Sequence, residues 1–289
     1  MSVALGLSRP PRSRFTRGYA GLVVGAVLRR VMEGGTVVQG DHYGKARLSV
    51  REVAGMVDLL VLDPSGSAQD VADACGTAAR AHLATVYCLG HRVKAAADQL
   101  AGSGVGVGTV VPGSDATGDL SLTMSKAKQS LDAGATEIAV IVANRWWREH
   151  GDAVLAREVR SLAGLAADHD AALKVVFLTG GLDEAELVRG CRLAEEAGAR
   201  ILQGGSWFTS DRSTLAELHV MRAAVSAAVV VKGAGYIKSL DLLLLGYAHG
   251  LGRFNVQRVD ELLADAMHRS EGGDLLVPPM NDLHPQIPL

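Results

Sequence analysis

Lysine is scarce in this chain: Lys45, Lys94, Lys126, Lys128, Lys174, Lys232 and Lys238 are the whole set, and arginine supplies most of the positive charge. Two of them are embedded in apolar, β-branched runs, Lys174 in Ala-Leu-Lys-Val-Val-Phe and Lys232 in Val-Val-Val-Lys-Gly-Ala-Gly. An ammonium inside such a run is costly unless it is paired or used. Desolvation lowers a lysine pKa and frees the amine to attack a carbonyl carbon, the first step of Schiff-base chemistry. The alternative for each lysine is a side chain that reaches the strand end or pairs with a carboxylate. Gln203 opens a glycine-rich segment, Gln-Gly-Gly-Ser-Trp-Phe, directly after a short apolar run, with Ser206 and Trp207 beside it.

The elements that must position these residues alternate along the chain. Short apolar runs at 57–62, 84–88, 105–111, 137–142, 173–178, 200–202, 228–232 and 252–256 read as strands. Amphipathic stretches at 68–81, 91–100, 122–133, 153–168, 183–196, 213–224, 240–248 and 258–268 read as helices. Asp183 with Glu186, and Ser67 with Asp70, have capping-box spacing, and Gly134, Gly198 and Gly250 follow helices where left-handed caps belong. The strands read as continuous apolar runs, as in parallel sheets covered by helices. Eight β-α units close a parallel barrel, so the expected fold is α/β, a single (β/α)8 TIM barrel. A doubly wound sheet would carry its glycine fingerprint after the first strand. The glycine ladder here, Gly102-Ser-Gly-Val-Gly-Val-Gly108, enters a strand instead, the wrong order for cradling a phosphate.

Composition bounds the rest. With 289 residues the chain can bury a large core, and its net charge of -2 leaves no basic footprint for nucleic acid. The densest apolar run, 21–28, is too short to span a bilayer, so a soluble, cytoplasmic protein without membrane partners is expected. Cys75, Cys88 and Cys191 are odd in number and far apart, which fits a reducing compartment. No metal-ligand spacing stands out, and neither metal nor cofactor is expected. The Arg-rich segment 8–17 reads either as a transit peptide or as a disordered extension. The organisation expected is an N-terminal extension over 1–55, partly disordered and then helical around 21–32; a barrel over 56–270; and an extended, proline-rich tail over 271–289.

In TIM barrels the chemistry sits at the C-terminal ends of the strands. That rule nominates Asp58 and Asp63 near the first strand, Cys88 after the second, Asn144 after the fourth, Lys174 in the fifth, Gln203 and Ser206 after the sixth, and Lys232 in the seventh. Trp146 and Trp147 follow the fourth strand and Trp207-Phe208 the sixth, which puts every tryptophan at the expected mouth. They would form a pocket for a flatter, more apolar ligand than a small polar one, or else an oligomer contact or a plug over an unused pocket.

From residue 56 to about 256 the chain resembles the deoxyribose-phosphate aldolase family of class I aldolases. Val57-Asp-Leu-Leu-Val-Leu-Asp63 resembles the family's opening Ile-Asp-His-Thr-Leu-Leu, and Gly134-Ala-Thr-Glu-Ile-Ala139 its Gly-Ala-Asp-Glu-Ile-Asp. Leu173-Lys-Val-Val resembles Leu-Lys-Val-Ile, Ala197-Gly-Ala-Arg-Ile-Leu-Gln203 resembles Ala-Gly-Ala-Asp-Phe-Ile-Lys, and Val231-Lys-Gly-Ala-Gly-Tyr-Ile-Lys238 resembles Val-Lys-Ala-Ala-Gly-Gly-Ile-Arg. The resemblance implies that the Schiff-base lysine falls on Gln203 and the catalytic aspartate on Ala139, while the second lysine is kept as Lys232. The His-Thr of the opening motif falls on Leu59-Leu60, a glutamate on Leu178, a phosphate-gripping glycine on Tyr236 and a small residue near Gln257.

Two functions follow from this pattern. One is a divergent enzyme acting on a small carbonyl compound by carbon–carbon bond formation or cleavage, cyclisation or isomerisation. Lys232 or Lys174 would be its amine, with Gln203, Asp58, Ser206, Trp207, Trp146 and Asn144 around the substrate. The other is a catalytically inactive pseudoenzyme that binds or scaffolds. Ordinary deoxyribose-phosphate aldolase activity is not expected, the partner is a small molecule, and a homo-oligomer is left open.

Overall fold

The computed structural model describes residues 44–113, 119–206, 213–233, 235, 237–270 and 273–279. The Arg-rich segment, the helix expected near 21–32, Trp207, Phe208, Tyr236 and the last prolines lie outside them.

Eight parallel strands form the sheet: β1 (Val57–Val61), β2 (Thr85–Cys88), β3 (Gly106–Val111), β4 (Glu137–Val142), β5 (Ala172–Phe177), β6 (Ile201–Gly204), β7 (Val230–Gly233) and β8 (Phe254–Asn255). Neighbours in sequence are neighbours in the sheet, and β8 pairs with β1 through Val57↔Phe254 and Asp58↔Asn255. A parallel bridge between Lys232 and Arg253 joins β7 to β8 and completes the TIM barrel. β8 is shorter than the run at 252–256 suggests, because its flanks, Arg253 and Val256, make only single bridges to Lys232 and Ile237.

The helices lie where the apolar periodicity puts them, within a residue or two at most ends: Ala68–Ala81, Val93–Leu100, Ser121–Asp132, Asp152–Ala167, Glu184–Glu196, Leu215–Ala224, Leu240–Ala248 and Val259–Ser270. Both expected capping boxes form, Ser67 with Asp70 and Asp183 with Glu186, each satisfying backbone donors that a helix start otherwise leaves bare. An additional helix, Asn144–His150, occupies the Arg-Trp-Trp-Arg segment. Residues Arg47–Leu48 pair antiparallel with Leu275–Leu276 at the start of the tail, so two segments from opposite ends of the chain meet in a small ribbon.

The sheet has two differently built faces. Outward residues such as Ile138, Val140 and Val142 of β4 and Leu173, Val175 and Phe177 of β5 pack with the helices in one continuous core. Burying each such side chain stabilises the fold by about 2 kcal/mol. A separate inner cluster holds Leu62, Tyr87, Ala139 and Val176, with Leu60, Leu89, Val110 and Ile141 against it. Inward positions on the same strands also carry Asp58, Thr85, Glu137, Lys174, Gln203, Lys232 and Asn255, all buried. The strands are thus apolar outside and polar at alternate inner positions, a parity hidden when they are read as uninterrupted apolar runs.

Candidate active site

The deepest polar layer of the barrel is an ion network. Lys232 Nζ binds Asp58 Oδ2 directly, both side chains being about 1% exposed. Arg253 donates through Nε to Asp58 Oδ1 at 2.8 Å and through Nη2 to Glu137 Oε1 at 3.0 Å. Glu137 also accepts from Thr85 Oγ1 at 3.1 Å and from the Tyr87 hydroxyl at 2.6 Å. Burial acts to raise the Asp58 carboxyl, but Arg253, Lys232 and Lys174 outweigh it and hold the group below its usual range. Burial raises the Tyr87 phenol well above its ordinary value, with Glu137 and Asp58 adding to the effect, so it stays a hydrogen-bond donor.

Lys174 sits over this network and takes no part in its pairing. Among the described residues it makes neither a hydrogen bond nor an ion pair; its Nζ lies 3.7 Å from the centroid of the Tyr87 ring. The two carboxylates below are matched by Lys232 and Arg253, which leaves Lys174 as the surplus basic group. Burial first, and the Lys232 charge second, push its pKa well below the ordinary lysine value. Burial lowers Lys232 as well, but Asp58 opposes the shift and holds the ammonium in place.

Lys174 faces a cavity of about 30 Å³, lined also by Tyr87, Gln203, Ser206 and Asn255 and by the apolar Leu60, Leu62, Val110, Ala139, Ile141 and Val176. That volume holds about two water molecules. Leu60, Val110 and Ile141 stay partly exposed on the side of the strand C-termini. Sheet register explains the grouping: Lys174 stands beside Ala139, and Gln203 beside Lys232. Gln203 donates from Nε2 to Gly205 O at 3.1 Å and is 6% exposed, so its amide is fixed at the cavity wall.

Of the residues nominated from sequence, Lys174, Gln203 and Ser206 are brought to one cavity, with Asp58 and Lys232 joined to each other in the layer that supports it. Trp146 and Asn144 are elsewhere. Trp146 stacks on His150 at a centroid distance of 5.1 Å and lines a second cavity behind β4, with Leu155 and Val159 of the following helix. Asn144 begins a helix and donates to Leu178 O at 2.7 Å, and Trp147 is buried beneath Gly190 and Phe177 with its indole on Asp152. The tryptophan-lined mouth expected from sequence therefore fails for Trp146 and Trp147, because the segment coils into a helix that turns them toward the outer core; Trp207 lies outside the described residues. Asp63 is exposed and binds Ser65, and Cys88 faces the outer core, where burial pushes its thiol up to about 12.

Sequence reasoning missed Arg253, Glu137, Tyr87, Thr85 and Asn255. The signal was parity: each lies on the inward side of its strand, at even steps from another inward residue. The glycine ladder also acquires a role here, since a methyl on Gly108 would run into the Tyr87 ring, while one on Gly106 would meet Thr136 Oγ1 at 2.7 Å. Among the described residues no group of His, Cys, Asp and Glu is arranged to hold a metal, and no helix is long and apolar enough to cross a membrane.

No family model matches the chain. The deoxyribose-phosphate aldolase of Bacteroides thetaiotaomicron is 27% identical over 199 residues, covering 69% of this chain and 84% of that protein. That of Alkaliphilus oremlandii is 24% identical over 220 residues, covering 76% and 99%. A crystal structure from Coccidioides immitis, provisionally described as a deoxyribose-phosphate aldolase, superposes with a TM-score of 0.70 at 21% identity, over 88% of this chain and 99% of that one. The chain is thus similar in sequence to deoxyribose-phosphate aldolases across most of the barrel, at about a quarter identity, and shares the fold of the solved structure.

Proposed function

We propose that the barrel is a divergent aldolase-type enzyme for a small carbonyl compound, with Lys174 as the amine. The observation that carries this reading is the contrast between two buried lysines: Lys232 is committed to Asp58, whereas Lys174 is unmatched, borders the cavity and is pushed toward its neutral form. A neutral amine in a low-dielectric site is the reactant for carbonyl addition. Its lone pair forms a bond to the carbonyl carbon while the carbonyl oxygen takes one proton from the amine nitrogen and a second from solvent water; loss of that oxygen as water then leaves an iminium. That cation draws the electrons of an adjacent carbon–carbon bond as the bond breaks, or activates the neighbouring carbon when one forms. Lys232 is a positioning residue in this scheme, since its charge, held by Asp58, disfavours protonation of Lys174.

Ordinary cleavage of deoxyribose 5-phosphate is not expected. The resemblance puts Gln203 and Ala139 where the family's amine and carboxylate stand, and neither side chain can replace them. The second reading, a non-catalytic binding protein, draws on the small volume of the cavity.

Trapping decides between them. Incubation with two- and three-carbon aldehydes and ketones in the presence of cyanoborohydride, followed by peptide mass mapping, is expected to reduce an adduct onto Lys174 in excess of Lys126 on the surface. Reduction onto Lys232 alone, or no enrichment over Lys126, overturns the assignment, and the latter outcome leaves the binding reading in its place. Cleavage of deoxyribose 5-phosphate by the purified protein would overturn the claim of divergence.

A further inference from the structure

We propose that Arg253 is a positioning residue for the chemistry assigned to Lys174: by binding Asp58 and Glu137 together, it denies Lys174 a counter-ion and keeps it the surplus base of the barrel. The inference rests on the reading of Lys174 as the amine and names the residue that makes that amine available. Without Arg253, Glu137 would be the carboxylate to attract a proton onto Lys174. It faces the barrel interior on the neighbouring strand, two residues before Ala139, and Ala139 is the register partner of Lys174. Tyr87 links the two groups, with Lys174 Nζ 3.7 Å from its ring centroid and its hydroxyl donating to Glu137 Oε2 at 2.6 Å.

Arg253 is aimed at this layer by the barrel seam. Gly252 N donates to Val231 O at 3.0 Å and Phe254 N to Met56 O at 2.8 Å, which pins the residue between them against β7 on one side and β1 on the other. Its guanidinium then reaches Asp58 Oδ1 through Nε and Glu137 Oε1 through Nη2, one planar fork spanning two carboxylates. Lys232 supplies the second cation on Asp58. Two carboxylates meet two cations, so the layer is neutral while Lys174 is uncharged. A proton on Lys174 would add a third positive charge to a buried site, where Lys232 already opposes it. Loss of Arg253 inverts the balance, because Glu137 then has no cation and a proton on Lys174 restores neutrality. Loss of the Glu137 charge has the opposite effect, since one positive charge is left in excess. Substitutions at the two ends of a single ion pair should therefore move Lys174 in opposite directions, which a residue that only holds the fold would not do.

The test uses the full-length protein with carbon-13 lysine. The titration midpoint of the Lys174 ε-carbon is followed by NMR, and trapping of acetaldehyde by cyanoborohydride is measured at Lys174 relative to exposed Lys126. In Arg253→Met the midpoint is expected to rise by about one pH unit or more. At a pH below both midpoints, normalised trapping falls about tenfold for each unit of that rise. In Glu137→Gln the midpoint is expected to fall, and in the double variant Arg253→Met/Glu137→Gln it returns toward the wild-type value. Thermal melts check folding; should Arg253→Met fail to fold, Glu137→Gln still decides, because a midpoint that rises or stays put there overturns the proposal. Trapping at Lys174 in the wild-type protein with an unmoved midpoint in folded Arg253→Met overturns the role of Arg253 and leaves Lys174 as the amine. No excess of trapping at Lys174 over Lys126 in the wild-type protein removes both assignments together.

Discussion

Lys174 and Lys232 are alike in sequence, each a single lysine in an apolar strand, and the structure separates them by their partners. Lys232 Nζ has Asp58; Lys174 Nζ has the face of Tyr87. The difference has opposite consequences for stability. Removing Asp58 strands the buried Lys232 ammonium and leaves Arg253 with Glu137 alone, so Asp58→Asn should destabilise the fold by about 3 to 5 kcal/mol in urea unfolding. Lys174 behaves the other way. Its folded pKa lies below the ordinary value of 10.5, so between those two values the unfolded chain binds a proton that the folded chain has given up. Stability therefore rises with pH from the folded pKa up to the unfolded one, and at neutral pH the lysine is a net cost. Lys174→Met should consequently raise stability by about 1 kcal/mol while abolishing carbonyl trapping. A loss of stability comparable to that of Asp58→Asn would show that Lys174 is a structural partner.

At the scale of elements, β3 explains itself through β2. Gly108 is small because the Tyr87 ring occupies the space where a side chain would be, and Lys174 stands on the other side of the barrel interior, over that ring. Gly108→Ala should displace the ring, cost about 1 to 3 kcal/mol by overpacking, and lower the rate of Lys174 labelling, which thermal melts and timed trapping would measure together. Unchanged labelling with Gly108→Ala would separate Tyr87 from the amine. The ladder was legible in the sequence as glycines entering a strand, but its partner was not, because the contact runs between strands. The Arg-Trp-Trp-Arg segment shows the same limit. Its place after β4 could be read from order along the chain, whereas the seating of Trp147 in the outer core involves Gly190 and Phe177, which are distant in sequence.

For the whole molecule, eight apolar runs alternating with amphipathic stretches were enough to read a closed parallel barrel, because the outer core depends on local periodicity. The interior was less legible. Glu137 and Arg253 lie in apolar surroundings far apart in the chain, and only barrel closure, with β8 beside β1, brings Arg253 to Asp58 and Glu137. The charge balance that singles out Lys174 is therefore a property of the closed barrel. It can be measured by following the Cε resonance of lysines labelled with carbon-13 as pH is raised, with Lys174→Met identifying the signal. The account predicts that the Lys174 signal titrates well below that of exposed Lys126. A Lys174 signal that titrates together with Lys126, or above it, would contradict the claim that this barrel pushes the Lys174 amine toward its neutral form.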